Sequence, residues 1–351
     1  MTRADVAAAI RWIGATLYAL FGGADFGAGF WDLVAGGAQR GERPRGLIQS
    51  SLTPVWEANH VWLIFILVVL WTGFPDAFGA VMSTLYVPLA LAALGIVLRG
   101  AGFAFRKSIR RLGARRAMGA TFALSSVLTP FFMGTVAGAI AAGNVPAQGN
   151  GDAFASWTGP LPLLVGALFV ASGAYLAAVF LVGDARRAGG REAALAARSG
   201  DPATPALPNP DLETYFSRRA LGAALVAGAF AAAGLVALHA EARYLFDRLT
   251  DQGLPLVILS ALCGLGVLLS LLRGWRRPLR PLAAGAVVAV VWGWGVAQAP
   301  YLLPTSLKIT ESAAPPDTLA AILAVFIAAA VIVLPALGLL YWLSQRELLN
   351  D

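Results

Sequence analysis

Long apolar runs alternate with short polar segments along the whole chain. A helix needs about 20 predominantly apolar residues to cross the hydrocarbon core of a bilayer. Nine stretches meet that length: 7–34, 54–74, 78–98, 117–142, 159–182, 219–239, 254–272, 281–303 and 319–343. None alternates with period two, so a barrel is excluded, and only helices satisfy every backbone hydrogen bond within one such segment. The pattern predicts an all-α integral membrane protein of about nine transmembrane helices, a single polytopic domain over 1–351. The first five spans occupy 1–182, a connector rich in Ala and Pro covers 183–217, and four spans follow in 218–351. The connector reads as a flexible cytoplasmic loop. Spans 1–4 and 5–8 are expected to form two four-helix bundles with the last span peripheral, although no internal repeat is visible.

Composition agrees with this class. Hydrophobic residues make up 58% of the 351 positions and charged residues only 13%, against about 25% charged in ordinary globular domains. Mean hydropathy is +0.71. The net charge of +7 does not indicate a nucleic-acid partner, because the basic residues fall between apolar runs. Of the 26 Lys and Arg, 21 lie after the odd-numbered spans, as in the group Arg106, Lys107, Arg110, Arg111, Arg115 and Arg116. Positive charge stays inside, so the N-terminus is expected outside and the C-terminus in the cytoplasm. Cys263 is the single cysteine, which rules out an internal disulfide and a cysteine metal site. The first residues lack the pattern of a cleavable signal peptide.

Ionisable groups inside spans cost roughly 2.5–3.5 kcal/mol each on insertion scales, so each needs a reason. Asp25 sits in GGADFGAGFWDL at the end of span 1, seven residues before Asp32 on one helical face. Gly23 and Gly27 form a GxxxG pair that reads as close helix packing, and Asp32 reads as an interfacial residue. Span 2 opens with Trp56, Glu57, Asn59 and His60 in one turn. Trp56, Glu57 and His60 share a face, while Asn59 points elsewhere. Interfacial anchoring accounts for tryptophans there, but not for the acid, the amide and the imidazole beside them. Arg99 closes span 3, where it serves either this polar cluster or anchoring on the inner side. Under the inferred orientation Asp25, Glu57 and Arg99 all fall in the inner half of the membrane. Carboxylates in that layer, with an arginine tuning them, suit a proton route entering from the cytoplasm.

At these same residues the chain resembles subunit II of the cytochrome bd ubiquinol oxidases. The blocks are GADFGAGFWDL (23–33), PVWEANHVWLI (54–64), LRGAGFAFR (98–106), TPFFMGTVAGAIAAGNVP (129–146) and APYLLPTSL (299–307). The resemblance implies a respiratory quinol oxidase of the bacterial cytoplasmic (inner) membrane that reduces oxygen to water. Haems b and d and the quinol site would be in a partner, subunit I. A small single-span accessory subunit, membrane lipid and quinol complete the implied partners, with no nucleic acid and no metal in this chain. Subunit II would support the complex and help bring cytoplasmic protons to the oxygen-reducing site. By the resemblance, Asp25, Glu57 and Arg99 would form the proton pathway, with Trp56, Asn59 and His60 supporting it. The chain departs at Gly22, where many members have an acid, at Glu57 in place of the more usual Asp, and at His60 in place of Gln.

Ligand counting supports a partner. A three-haem core needs about five axial ligands, usually His or Met. This chain has two histidines, His60 and His239, and four methionines. His60 reads as a hydrogen-bonding or packing residue rather than a haem ligand. Two other readings fit the composition. A proton-coupled secondary transporter would use helix breaks such as Thr129-Pro130 or Pro300 and Pro304, and a passive scaffold would hold a structural lipid or quinone between its helices.

Overall fold

The computed structural model describes residues 2–37, 39–52, 56–108, 112–199 and 210–345. The first span, Arg3–Leu33, is one helical rod in three parts: α1 (Arg3–Leu17), a π-helical turn (Tyr18–Gly22) and α2 (Gly23–Leu33). Thr2 and Asp5 start it with a reciprocal capping box, in which each side chain accepts from the other's backbone N–H. The extra residue in the π turn rotates α2 relative to α1, a device frequent at functional sites. It ends three residues before Asp25.

The remaining elements follow as α3 (Glu42–Leu52), α4 (Trp56–Gly73), α5 (Pro75–Thr84), α6 (Tyr86–Ser108), α7 (Leu112–Ala141), α8 (Ala155–Thr158) and α9 (Pro160–Ser199). After them come α10 (Pro210–Glu241), α11 (Arg243–Thr250), α12 (Leu254–Leu272), α13 (Leu279–Gln298), the antiparallel pair β1 (Tyr301–Leu303) and β2 (Leu307–Lys308), and α14 (Pro316–Gln345). Among the described residues eight helices are long and apolar enough to cross a membrane. A ninth results when α4 and α5, bent by 117° at their junction, count as one broken span. Pro75 at the first position of α5 fixes that break, because it cannot continue the hydrogen-bond ladder of α4.

Three expectations change. Span 3 does not begin at 78. Residues 75–84 form the separate helix α5, and the span itself runs over Tyr86–Phe105. Arg99 is therefore the fourteenth residue of α6 and lies within the span instead of closing it. The region 183–217 is not simply a loop, since α9 continues to Ser199 and α10 starts at Pro210, with 200–209 outside the described residues. The sequence REAALAARS has high helix propensity, and Pro is well placed in a first turn. Pro130 leaves α7 unbroken.

Within the first half α1 packs on α4, α2 on α7, and α6 on α7. Within the second half α9 packs on α10, α12 on α13, and α9 and α10 close the set against α13 and α12. This is the expected pair of four-helix groups, and α14 lies outside them against α1 and α4. The two groups meet where α9 packs on α2 and α7. Small residues allow that approach: a Cβ on Gly27 would sit 1.9 Å from the Gly173 carbonyl oxygen, and one on Gly29 would sit 2.1 Å from Ser126 Oγ. The Gly23–Gly27 pair is thus a packing motif, as its spacing suggests. Trp31, Phe122, Tyr175, Leu176 and Phe216 fill the core around this seam. Leu225, Val236, Leu262, Val325 and Ile332 project outward, where hydrocarbon is their natural solvent.

Candidate functional site

Asp25 and Arg99 meet at the seam between α2 and α6. Arg99 Nη2 donates to Asp25 Oδ1 at 2.9 Å and to the Asp25 backbone carbonyl, also at 2.9 Å. Both side chains are 2% exposed. The guanidinium lies between two aromatic rings, its Cζ 4.9 Å from the Phe26 centroid and 4.6 Å from that of Phe122. Cation–π attraction is strongest where water is excluded, so the rings hold Arg99 in place while supplying no proton acceptor. Arg99 Nε and Nη1 and Asp25 Oδ2 have no hydrogen-bond partner among the described residues.

Local sequence explains the geometry. Gly102 in α6 lets Met118 and Phe122 of α7 come close, since a Cβ there would lie 2.9 Å from the Met118 carbonyl oxygen. Gly95, one heptad earlier, does the same against Thr129. Arg99 is thereby driven inward between two close-packed glycine positions. The π turn aims Tyr18 at the same region. Its ring stands edge-on to Phe26 at 6.5 Å, and its hydroxyl donates to Met133 Sδ at 3.7 Å.

Of the polar turn of α4, His60 reaches the cluster, its ring edge-on to Phe26 at 6.1 Å and within electrostatic range of Asp25. Asn59, expected on a different face, is buried more deeply than His60. The side chains of Trp56 and Glu57 lie outside the described residues, although both positions belong to α4. The structure thus brings together Asp25, Arg99 and His60 of the candidates. Reading Arg99 as an anchor at the inner surface is incorrect, because it is sealed within the packed spans. Asp32, at the end of the first span, has a structural partner as well. It is buried and paired with Arg45 Nε of α3 at 3.2 Å.

Phe122, Tyr18 and Met133 escape sequence reasoning, for nothing in their local spacing marks them. Phe26 was within reach, since it follows Asp25 directly. Among the described residues no group of three or more His, Cys, Asp or Glu is placed to hold a metal ion. One carboxylate with a shifted titration lies outside the spans. Asp152 accepts from the backbone N–H of Ala155 at 2.6 Å and of Phe154 at 2.8 Å, and these donors hold its carboxyl below the ordinary value.

A buried ion pair is a poor stabiliser, because desolvation consumes most of its Coulomb energy and an apolar substitute of like volume often does as well. Packing alone does not call for Asp25 and Arg99. Fold and site together define a polytopic helical membrane protein with an ionisable pair enclosed among its spans. The chain belongs to the cytochrome bd terminal oxidase subunit II family, whose model matches residues 4–344. It is a multi-pass protein of the bacterial cytoplasmic membrane.

Its relatives include cytochrome bd ubiquinol oxidase subunit 2 of Bacillus subtilis, 27% identical over 114 residues, which are 32% of this chain and 33% of that protein. Cytochrome bd-I ubiquinol oxidase subunit 2 of Escherichia coli K12 is 27% identical over 121 residues, 34% of this chain and 31% of the relative. The matched stretches thus span about a third of these curated relatives. A chain of the bd oxidase from Geobacillus thermodenitrificans has the same fold, with a TM-score of 0.73 at 24% identity over 100% of both chains.

Proposed function

We propose that this chain is the non-haem subunit of a bd-type quinol oxidase and that it delivers cytoplasmic protons to the site where its partner reduces oxygen to water. The partner, a haem-bearing subunit I, would hold haems b and d and oxidise quinol. The reading rests above all on the sealed Asp25–Arg99 pair, with one carboxylate oxygen unpartnered among the described residues. A carboxylate fixed through Oδ1 and free at Oδ2 can take a proton at Oδ2 and release it without moving its backbone.

In this scheme Glu57, at the start of α4, is the entry acid. His60 and Asn59 polarise the passage, Trp56 anchors the turn, and Arg99 compensates the charge of Asp25 between transfers. The N-terminus faces outward and the C-terminus the cytoplasm, which places Glu57 and Asp25 on the inner side. Reduction of oxygen consumes protons together with electrons from quinol. Drawing those protons from inside, while quinol releases its own outside, stores energy without a pump.

The test is turnover of the purified complex with its haem spectrum as control. Asp25→Asn keeps the size and one hydrogen-bond acceptor but cannot carry a proton. It is expected to lower quinol oxidase turnover by about 100-fold, the lower end of what a positioned proton-transfer group contributes, with haem content unchanged. Full turnover in Asp25→Asn with normal assembly would leave the chain as a scaffold.

A further inference from the structure

A second polar site lies away from this pair. A cavity of about 60 Å³ opens between α1, α5, α7 and α13, lined by Arg11, Trp12, Trp294, Gln298 and Leu302 among others. Arg11 precedes Asp25 by 14 residues, about 21 Å along a helix axis, so the two sites are separate.

Three buried polar atoms of the lining residues have no hydrogen-bond partner among the described residues: Arg11 Nε, Trp294 Nε1 and Gln298 Oε1. Gln298 is 4% exposed. Its amide orientation is fixed, because Nε2 donates to the Leu302 carbonyl and leaves Oε1 towards the gap. Trp12, edge-on to Trp294 at 5.4 Å, has its own N–H occupied by the Val291 carbonyl at 2.9 Å. Arg11 forms no ion pair with an acid among the described residues. Buried polar atoms are otherwise partnered as a rule, and the part-buried Arg11 has its guanidinium carbon over the Trp12 ring at 5.3 Å.

The unpartnered atoms of the wall are therefore one cationic donor, one neutral donor and one acceptor. Waters alone would satisfy the three atoms but would leave Arg11 without a counter-ion among the described residues. The volume exceeds the roughly 10–15 Å³ that seats one water, and it is too small for a lipid headgroup. We propose that the cavity is a binding site for a halide-sized monoanion. The anion sits against Arg11 Nε and Trp294 Nε1, and a water bridges it to Gln298 Oε1. The site ties α1 to α13, so its occupancy stabilises the contact between the two helix groups.

The test is thermal unfolding of the purified complex in sodium chloride against sodium gluconate at equal ionic strength, since gluconate is too large to enter. Chloride is expected to raise the apparent Tm by about 2–4 °C. Arg11→Met, neutral and of similar length, should abolish the difference. If that variant does not assemble, Trp294→Phe, which removes one donor and keeps an aromatic ring, should move the half-effect concentration of chloride upward. Crystals soaked in bromide should show anomalous density beside Arg11. Equal stability in the two salts, or a chloride effect that survives both substitutions, overturns the proposal and leaves water as the occupant. Because stability and anomalous scattering are read, failure here is independent of the proton-delivery role.

Discussion

Arg99 carries its charge where charge is most expensive, and its partners show how that cost is met. One nitrogen engages the Asp25 carboxylate and carbonyl, and two aromatic rings cover the guanidinium. Removing Arg99 alone leaves an uncompensated buried carboxylate, so Arg99→Met is expected to destabilise the protein by about 3–5 kcal/mol. The double variant Asp25→Asn/Arg99→Met should recover much of that loss, because both charges are gone. A thermodynamic cycle on the four proteins checks this, and additive losses would mean that the two residues are not coupled. Asp25 was legible in the sequence, as an acid within an apolar run has few structural excuses. Arg99 was misplaced because hydropathy cannot tell a span that closes at residue 98 from one shifted seven residues by a bend at Pro75. Its aromatic lining was invisible, for Phe122 arrives from α7, which no local spacing links to Arg99.

The helices owe their close approach to glycines placed where neighbouring backbones cross. Gly27 faces the Gly173 carbonyl, and an added methyl has no space there. Gly27→Ala should force α2 and α9 apart at a cost of about 1–3 kcal/mol, the usual penalty of overpacking, and lower the yield of assembled complex. Gly264, where a Cβ meets nothing within 4 Å, is the control: Gly264→Ala should be neutral or slightly stabilising in the same assay. This contrast was half legible, since a GxxxG spacing announces packing but not the partner helix. The π turn was not legible, because its extra residue leaves the apolar pattern of span 1 intact. In the loop before α9, Asp152 has a depressed carboxyl that accepts two backbone N–H groups. Its cap is complete above the ordinary carboxylate range and is lost as pH falls through the lowered value. Hydrogen exchange at Phe154 and Ala155 should therefore quicken only on strong acidification, and should quicken at neutral pH in Asp152→Ala.

The whole molecule is two helix groups joined along α9, with Asp25, Arg99 and His60 gathered in the first group. Its class and its number of spans were readable from apolar run lengths. The extension of α9 and α10 into 183–217 was not, because alanine-rich polar sequence resembles a linker while favouring helix. Orientation is checked with single cysteines in a Cys263→Ser background. Asp251→Cys should react with an impermeant thiol reagent added outside intact cells, and Arg277→Cys should react only after the membrane is opened; the reverse pattern would put Asp25 and Glu57 on the wrong side. The most direct measurement is proton uptake by the intact complex, followed with a pH-sensitive dye while the fully reduced enzyme reacts once with oxygen. With Asp25→Asn, oxygen should bind at the normal rate while proton uptake slows by about 100-fold. Uptake as fast as in the unaltered complex would contradict passage through Asp25.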